Sequence, residues 1–408
     1  MFDSSNIIAG IEIGTSKICV VVGEQAAGGP LNIIGIGQAL TQGVRKGEII
    51  NPTEVEEDLR NAIAEAEQMA DVEIRSVYLG VTGGHLRGYN QRGFHRVVAA
   101  DREITLEDVL DVVENAKAVN LPAENSLVHT VRQHFLVDGE GGVSDPVGMH
   151  GAQLEVDMHI IHGKTNRLQN AIRLVRATSL QVNDIVFTGL ASSLAVLTGE
   201  QKELGALIID IGGGTTEYVV YAEGVLRYSG VLSIGGDHVA NDLAYGLKVS
   251  LSRAEKLKLE HGSAVVTESA RDQTIAITNE FGMELKRVKL EHVQRIMSLR
   301  LEEIFQVIAE ELAAAGLTEF LRAGVFLTGG CAHTPGIVML AEKTFQMNVA
   351  LGQAGAMSGL ATTLNQPGFA AALGLVQYGA LRQHQPSVRP SWLARLKEFI
   401  KKLLNFVR

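Results

Sequence analysis

The chain has 408 residues, of which 46% are hydrophobic and 44 are glycine, and a formal net charge of −10. This composition supports two or three domains with ample core and excludes a disordered chain. No run of about 18 uninterrupted apolar residues is present that could cross a bilayer as a helix. The start, MFDSSNII, lacks the basic segment and long apolar stretch of a secretory signal. Cys19 and Cys331 lie far apart in apolar or glycine-rich settings, so two reduced, buried thiols in a cytosolic protein are expected.

In chain order, residues 7–24 read as two strands joined by a glycine turn, followed by LNIIGIGQAL. A helix is predicted from Pro52, with apolar spacing at Val55, Leu59, Ile63 and Ala66 and Thr53 as a candidate cap. SVYLGVTG is a strand. Residues 83–163 then read as an inserted α/β module, with a helix over 106–119 and strands in LVHTVRQHFLVDG and QLEVDMHIIHG. Helix TNRLQNAIRLVRAT and strand DIVFTG lead into a second strand–turn–strand unit at Leu207. Two helices, the long helix EHVQRIMSLRLEEIFQVIAEELAAAG, the strand AGVFLTGG and a glycine-rich stretch complete the body, and QHQPSVRP is a polar linker.

The final 18 residues differ in kind. They carry a net charge of +4, leaving −14 on the rest, which argues against nucleic-acid binding by the body and for an anionic surface facing the tail. At 100° per residue, Trp392, Leu393, Leu396, Phe399, Ile400, Leu403, Leu404 and Val407 share one face. Arg395, Lys397, Lys401 and Lys402 occupy the other. Aromatic and aliphatic residues opposite a cationic face are the pattern of a helix lying in a membrane interface.

IEIGTSKICVVV and IIDIGGGTTEYVV repeat one design: an apolar strand, a carboxylate, a glycine turn with hydroxyls, and a second apolar strand. Backbone N–H groups of such turns approach phosphate closely. Gly14, Thr15 and Ser16 would do this in the first unit, and Gly212, Gly213, Gly214, Thr215 and Thr216 in the second. Lys17 could neutralise phosphate or simply be solvated. Glu12 and Asp210 would repel bare phosphate, but they suit Mg²⁺ held through its waters. Two such units imply a ligand clamped between two related halves.

The paired hairpins resemble the superfamily of actin, the heat-shock chaperones and sugar kinases. That resemblance implies an α/β, actin-like fold, ribonuclease H-like and duplicated into two lobes, with ATP and Mg²⁺ between them. GVFLTGGCAHTPGI resembles the adenosine motif, which implicates Gly329 and Gly330, and LSIGG adds Gly235 and Gly236. SRAEKLKLEHGSA resembles the helix that touches ribose or adenine, making Glu255 and Lys258 candidates; an ion pair on a solvated helix face explains them equally well. Glu12 stands where most relatives have Asp, and Ser192 and Ser193 stand about where actin and the chaperones carry a water-positioning Gln or Glu. No catalytic residue is assigned, and weak or absent ATPase activity is expected.

Within this superfamily, DPVGMHGAQLEVDMHII, LASSLAVLT and LSIGGDHVANDLA resemble the FtsA family of bacterial cell-division proteins. The resemblance implies subdomain 1A from residues 7–82, 164–199 and 367–382, and 1C as the insert 83–163. Subdomain 2A would take 200–236 and 301–366, 2B would take 237–300, and a linker (383–390) would precede the membrane-targeting helix 391–408. It also implies self-polymerisation, contact with other division proteins, and tethering of the C-terminal tail of FtsZ filaments to the inner membrane at the septum. Arg287, Lys289, Arg295 and Arg300 are the candidate contacts to that tail. The alternative is a pilus-assembly actin-like protein of the PilM type, which would not require residues 392–408.

Overall fold

The computed structural model describes residues 7–26, 29–278, 283–355, 358–359 and 365–384. Of the predicted linker (383–390), Gln383 and His384 continue the last described helix; the rest of it and the predicted amphipathic helix, residues 385–408, lie outside the described residues. The chain begins with β1 (Ile7–Ile13), β2 (Lys17–Gln25) and β3 (Leu31–Leu40), then a small ribbon of β4 (Val44–Arg45) and β5 (Glu48–Ile49). Helix α1 (Pro52–Ala70) and β6 (Ser76–Val81) follow. Asn51, not Thr53, caps α1: Pro52 opens the helix, and the Asn51 side chain accepts from the Glu54 amide.

The insert contains β7 (Arg87–Arg96), α2 (Leu106–Lys117), β8 (Asn125–Val137), β9 (Glu140–Val143) and β10 (Gln153–Lys164). The chain returns through α3 (Thr165–Ala177), β11 (Gln181–Phe187), α4 (Thr188–Val196) and α5 (Gly199–Leu204). The second half begins with β12 (Ala206–Ile211), β13 (Thr216–Ala222) and β14 (Val225–Leu232), then α6 (Gly236–Leu247) and α7 (Leu251–His261). It continues through β15 (Thr274–Thr278), β16 (Glu284–Lys289), α8 (Leu290–Ala314), β17 (Gly324–Thr328), α9 (Ile337–Phe345), β18 (Val349–Leu351) and β19 (Ser358–Gly359) to α10 (Ala370–His384).

The repeat is visible in strand order. One sheet runs β11-β6-β1-β2-β3-β19 and the other β14-β13-β12-β17-β18. In each, the opening strand pairs antiparallel with the second strand of its hairpin and parallel with a later strand, β6 or β17. Registers match as well: Glu12 lies opposite Cys19 in β2, and Asp210 opposite Glu217 in β13.

Period-2 alternation in the second sheet separates two cores. Leu207, Ile209, Ile211 and Val220 face the core beneath α6, α8 and α9. Ala206, Ile208, Val219 and Tyr221 face the first lobe's core with α4 and α10. The hairpin is therefore buried on both sides, which explains its near-continuous apolar runs. Helices α4 and α10 cross so closely that a Cβ on Gly374 would stand 1.8 Å from the Ala191 carbonyl oxygen.

The insert folds around its own core of Phe135, Leu154, Val156, Met158, Ile160 and Val112. Its sheet runs β7-β10-β8-β9, covered by α2. A reciprocal cap between Thr105 and Asp108 starts that helix.

Candidate functional site

The two hairpin turns close in the same way: the Gly14 amide donates to the Lys17 carbonyl at 3.0 Å, and the Gly212 amide to the Thr215 carbonyl at 2.9 Å. They face each other with no room for side chains. A Cβ on Gly213 would meet the Ser16 hydroxyl at 2.2 Å, and one on Gly214 would meet the Thr15 hydroxyl at 2.5 Å. Behind them, α6 begins at the second turn, with the amides of Gly236 and Asp237 donating to the carbonyls of Gly212 and Gly213.

Beside the facing turns, and lined by both, lies a cavity of about 530 Å³. Of the residues singled out from sequence, Glu12, Gly14, Thr15, Ser16, Lys17, Asp210, Gly212, Gly213, Thr215, Gly236, Glu255, Lys258, Gly329 and Gly330 line it. Gly214, Thr216 and Gly235 lie behind the lining: the buried Thr216 hydroxyl donates to the Ile234 carbonyl, and Gly235 packs on the Gly212 carbonyl. Glu255 and Lys258 form an ion pair at 2.7 Å, and both line the cavity. Lys258 also donates to the Gly236 carbonyl at 3.1 Å.

Lys17 is not merely solvated. Its ammonium donates to the Gly368 carbonyl at 2.7 Å and sits 4.2 Å from the centre of the Phe369 ring. Residues 366–369 thus form a wall of the cavity that the sequence reading missed. No local signal marks this wall, because it is made by contacts with Lys17, 351 residues from Gly368, and with Thr328 and Gly329 at the end of β17.

Three carboxyls converge on the cavity. Burial pushes Glu12 up to about 7, opposed by the Lys17 charge and reinforced by Asp210. Burial pushes Asp210 up to about 6, opposed by the Ser192 hydroxyl, which donates to it, and by Lys17. Glu217, overlooked in the sequence, is pushed up to about 8 by burial and by the Asp210 charge, against the hydroxyls of Thr82 and Thr215. Register could have revealed it, because the residue directly across an antiparallel pair from Asp210 must be Glu217 once the turn is placed. Oε2 of Glu12 is buried without a hydrogen-bond partner.

Ser192 and Ser193 are sealed from solvent. Ser192 binds Asp210, while Ser193 donates to the Leu190 carbonyl and meets the Tyr221 hydroxyl at 3.0 Å. Neither serine lines the cavity, although Ser192 reaches one of its carboxyls. Cys19 is buried and Cys331 half-buried, both free. Burial pushes the Cys331 thiol up to about 11, so it stays protonated at neutral pH.

The four basic residues proposed to meet a partner lie on β16 and α8. Arg287 pairs with Glu284 at 2.9 Å, and Lys289 and Arg295 are exposed. Arg300 makes a two-pronged pair with Asp242, at 2.5 and 3.1 Å, and also contacts Glu303. No helix among the described residues is long and apolar enough to cross a membrane.

Residues 207–374 match the family model for cell division protein FtsA, and residues 83–162 match the SHS2 domain inserted in FtsA. Curated FtsA proteins align over almost the whole chain. That of Pseudomonas aeruginosa is 35% identical, covering 93% of this chain and 91% of its own. That of Escherichia coli K12 is 32% identical, covering 97% and 98%. That of Borreliella burgdorferi is 37% identical, covering 92% and 91%. The chain belongs to the FtsA family of cell-division proteins. Solved structures define the fold of this FtsA-family chain as that of the actin-like ATPases. The PilM–PilN type IV pilus biogenesis complex matches with a TM-score of 0.64 at 17% identity, covering 91% of this chain and 98% of that one. MreB5 of Spiroplasma citri bound to ADP matches at 0.57 and 14%, covering 93% and 98%. The PilM likeness is one of fold alone, whereas the FtsA likeness extends through sequence, insert and length.

Proposed function

We propose that this FtsA-family chain binds ATP with Mg²⁺ in the cavity, polymerises, and tethers FtsZ filaments to the inner face of the cell membrane at the septum. The observation that carries the nucleotide reading is the pair of equivalently closed glycine turns facing each other, each with its carboxylate at the same register. The turn amides and hydroxyls, with Lys17, would hold the phosphates. Glu255, Lys258, Gly329 and Gly330 would receive the adenosine.

The residues present fit a hydrated divalent cation. A buried carboxylate oxygen without a partner and a neighbouring carboxylate raised by burial both gain from positive charge placed between them. Glu12 and Asp210 would hold Mg²⁺ through water, and the ion would supply charge neutralisation to the phosphates. With the Ser192 hydroxyl given to Asp210 and that of Ser193 to the Leu190 carbonyl, neither serine is placed to orient a water in the cavity, which supports slow or absent turnover.

Arg287, Lys289 and Arg295, flanked by the exposed side chains of Leu285 and Leu299, would receive the acidic FtsZ tail, with Arg300 available once freed from Asp242. Residues 391–408 would anchor the chain; one interfacial helix binds reversibly, and a row of them along a filament binds by avidity. The subdomain division into 1A, 1C, 2A and 2B is part of this proposal.

The test is co-sedimentation with anionic vesicles in ATP and Mg²⁺, comparing the full chain with one ending at Arg389, both viewed by electron microscopy. Only the full chain should pellet and coat vesicles with filaments. Equal behaviour without filaments rejects the anchor and favours a PilM-like recruitment through a protein partner.

A further inference from the structure

The insert leaves the first lobe one residue after Thr82 and comes to rest on the second lobe. Its sheet lies over β14, the edge strand of the second sheet. Two glycines make the approach possible. A Cβ on Gly84 would stand 2.0 Å from the Ser233 hydroxyl, and one on Gly88 would stand 2.2 Å from the Ser229 hydroxyl. Further along, the Asn90 side-chain amide donates to the Arg227 carbonyl at 3.1 Å. As the insert numbers rise from 84 to 90, the partner numbers fall from 233 to 227, so β7 passes antiparallel along β14. No backbone ladder joins them.

A polar set closes this joint. Asn90 Oδ1 accepts from Gln133 Nε2 at 3.1 Å and lies 2.7 Å from His159 Nδ1. His159 Nε2 lies 2.8 Å from the Ser229 hydroxyl, and Gln133 also donates to the Leu226 carbonyl. An amide oxygen can only accept, so His159 carries its proton on Nδ1 and takes one from Ser229 on Nε2. His159, Gln133 and Ser229 are all buried. Buried polar groups of this kind fix one relative pose, because any other leaves them unpaired.

The joint and the cavity are built on the same two stretches of chain. On one side, Thr82 touches Glu217 and Thr215 at the cavity, and Asn90 follows eight residues later at the joint. On the other, Glu217 lies on β13, and Ser229 pairs with Val219 two residues further along that strand. A shift of one lobe against the other at Thr82 and Glu217 is therefore passed to Asn90, His159 and Ser229. We propose that the insert is a lever on the cavity, so that nucleotide occupancy sets the insert's pose and anything that engages the insert alters nucleotide affinity by the same factor. The nucleotide half of this statement rests on the function proposed above; the joint itself does not.

Hydrogen exchange on the full chain, with and without ATP and Mg²⁺, tests both halves. Nucleotide should slow exchange in β13 and, with it, in β7 and β14. Gly88→Ala, a wedge at the joint, and Asn90→Ala, which removes the hub of the hydrogen bonds, should keep the β13 response and lose that of β7. A wild-type chain in which β13 responds and β7 does not would overturn the lever. If no segment responds to nucleotide, the ATP reading fails and the lever with it. The joint is then judged without ligand: Asn90→Ala should speed exchange of the β14 amides about tenfold, the loss expected from one or two hydrogen bonds. An unchanged β14 rejects the joint, provided that β17 exchange matches wild type and so reports an intact second lobe. Ser229→Ala, which deletes only a hydroxyl, repeats the comparison should either of the other variants fail to fold.

Discussion

Thr82 and Glu217 meet across the cavity: the threonine hydroxyl, just past the end of β6 in the first lobe, donates to Oε1 of a carboxyl on β13 in the second. The contact joins the two lobes at the floor of the cavity, and Glu217 faces Asp210 from the adjacent strand. The site is thus an acidic chamber closed by hydroxyls, and its behaviour with pH follows from that.

Glu217, Glu12 and Asp210 are held up to about 8, about 7 and about 6, so each binds a proton more readily in the fold than in the unfolded chain. Their contribution to stability is complete below the ordinary carboxylate range, about 4 to 4.5, and is lost as pH rises through 6 to 8. Glu217→Gln keeps the shape and an acceptor oxygen for Thr82. In metal-free buffer its thermal midpoint should fall less than that of wild type between about pH 5.5 and 8.5. Parallel falls in the two proteins would show that Glu217 is not held protonated.

Glu12→Gln removes a charge but little volume. If Glu12 holds the hydrated cation with Asp210, the Mg²⁺ concentration that half-saturates the ATP-dependent rise in thermal midpoint should increase about tenfold, equivalent to about 1.4 kcal/mol. ATP binding without metal should improve, because one repelling charge is gone. An unaltered Mg²⁺ requirement places the ion elsewhere.

Histidines act in the opposite pH range. Burial lowers His129 to about 3 and His159 to about 4. Their neutral forms support the fold fully above about 6.5, and that support is lost as pH falls toward 4, where the unfolded chain gains the protons. His129 Nε2 accepts from the Phe187 amide at 3.0 Å, where β8 meets the end of β11. His129→Gln should flatten the decline in urea midpoint between pH 6.5 and 4.5; a decline as steep as that of wild type would assign acid sensitivity to other groups.

Gly374→Ala sets a methyl group against the Ala191 carbonyl and should cost about 3 kcal/mol in chemical denaturation. Gly199→Ala, where a Cβ meets nothing within 4 Å, should stay within about 0.5 kcal/mol of wild type. Equal effects at the two positions would mean that α4 and α10 do not cross as tightly as described.

On β16 and α8, Arg295→Ala should weaken binding of an acidic FtsZ-tail peptide about threefold, the scale of a surface charge pair. Asp242→Asn releases Arg300 from its partner and should tighten the same peptide. Isothermal titration on the full chain decides both, and unchanged affinity in the two variants moves the peptide site off this surface.

Much of the site was legible before folding. Glycine turns between apolar strands are strong local signals, and finding two of them exposed the duplication, the equivalent carboxylates and the class of fold. The insert also declared itself, as an α/β module between the strand SVYLGVTG and the helix TNRLQNAIRLVRAT. Glu255 and Lys258 were legible only as alternatives, because helical spacing brings them together whether or not a ligand is near.

The sequence alone determined the duplicated hairpins, the insert's place in the chain, and the amphipathic character of residues 392–408, because each depends on residues close together along the backbone. Tertiary structure alone decided that Thr82 closes on Glu217, that Lys17 is held by Gly368 and Phe369, and that the insert rests on β14 through Asn90, His159 and Ser229. Strand register, burial and the meeting of distant segments fix those contacts. Local periodicity cannot encode them, since the partners of one side chain are chosen by the packing of the whole sheet.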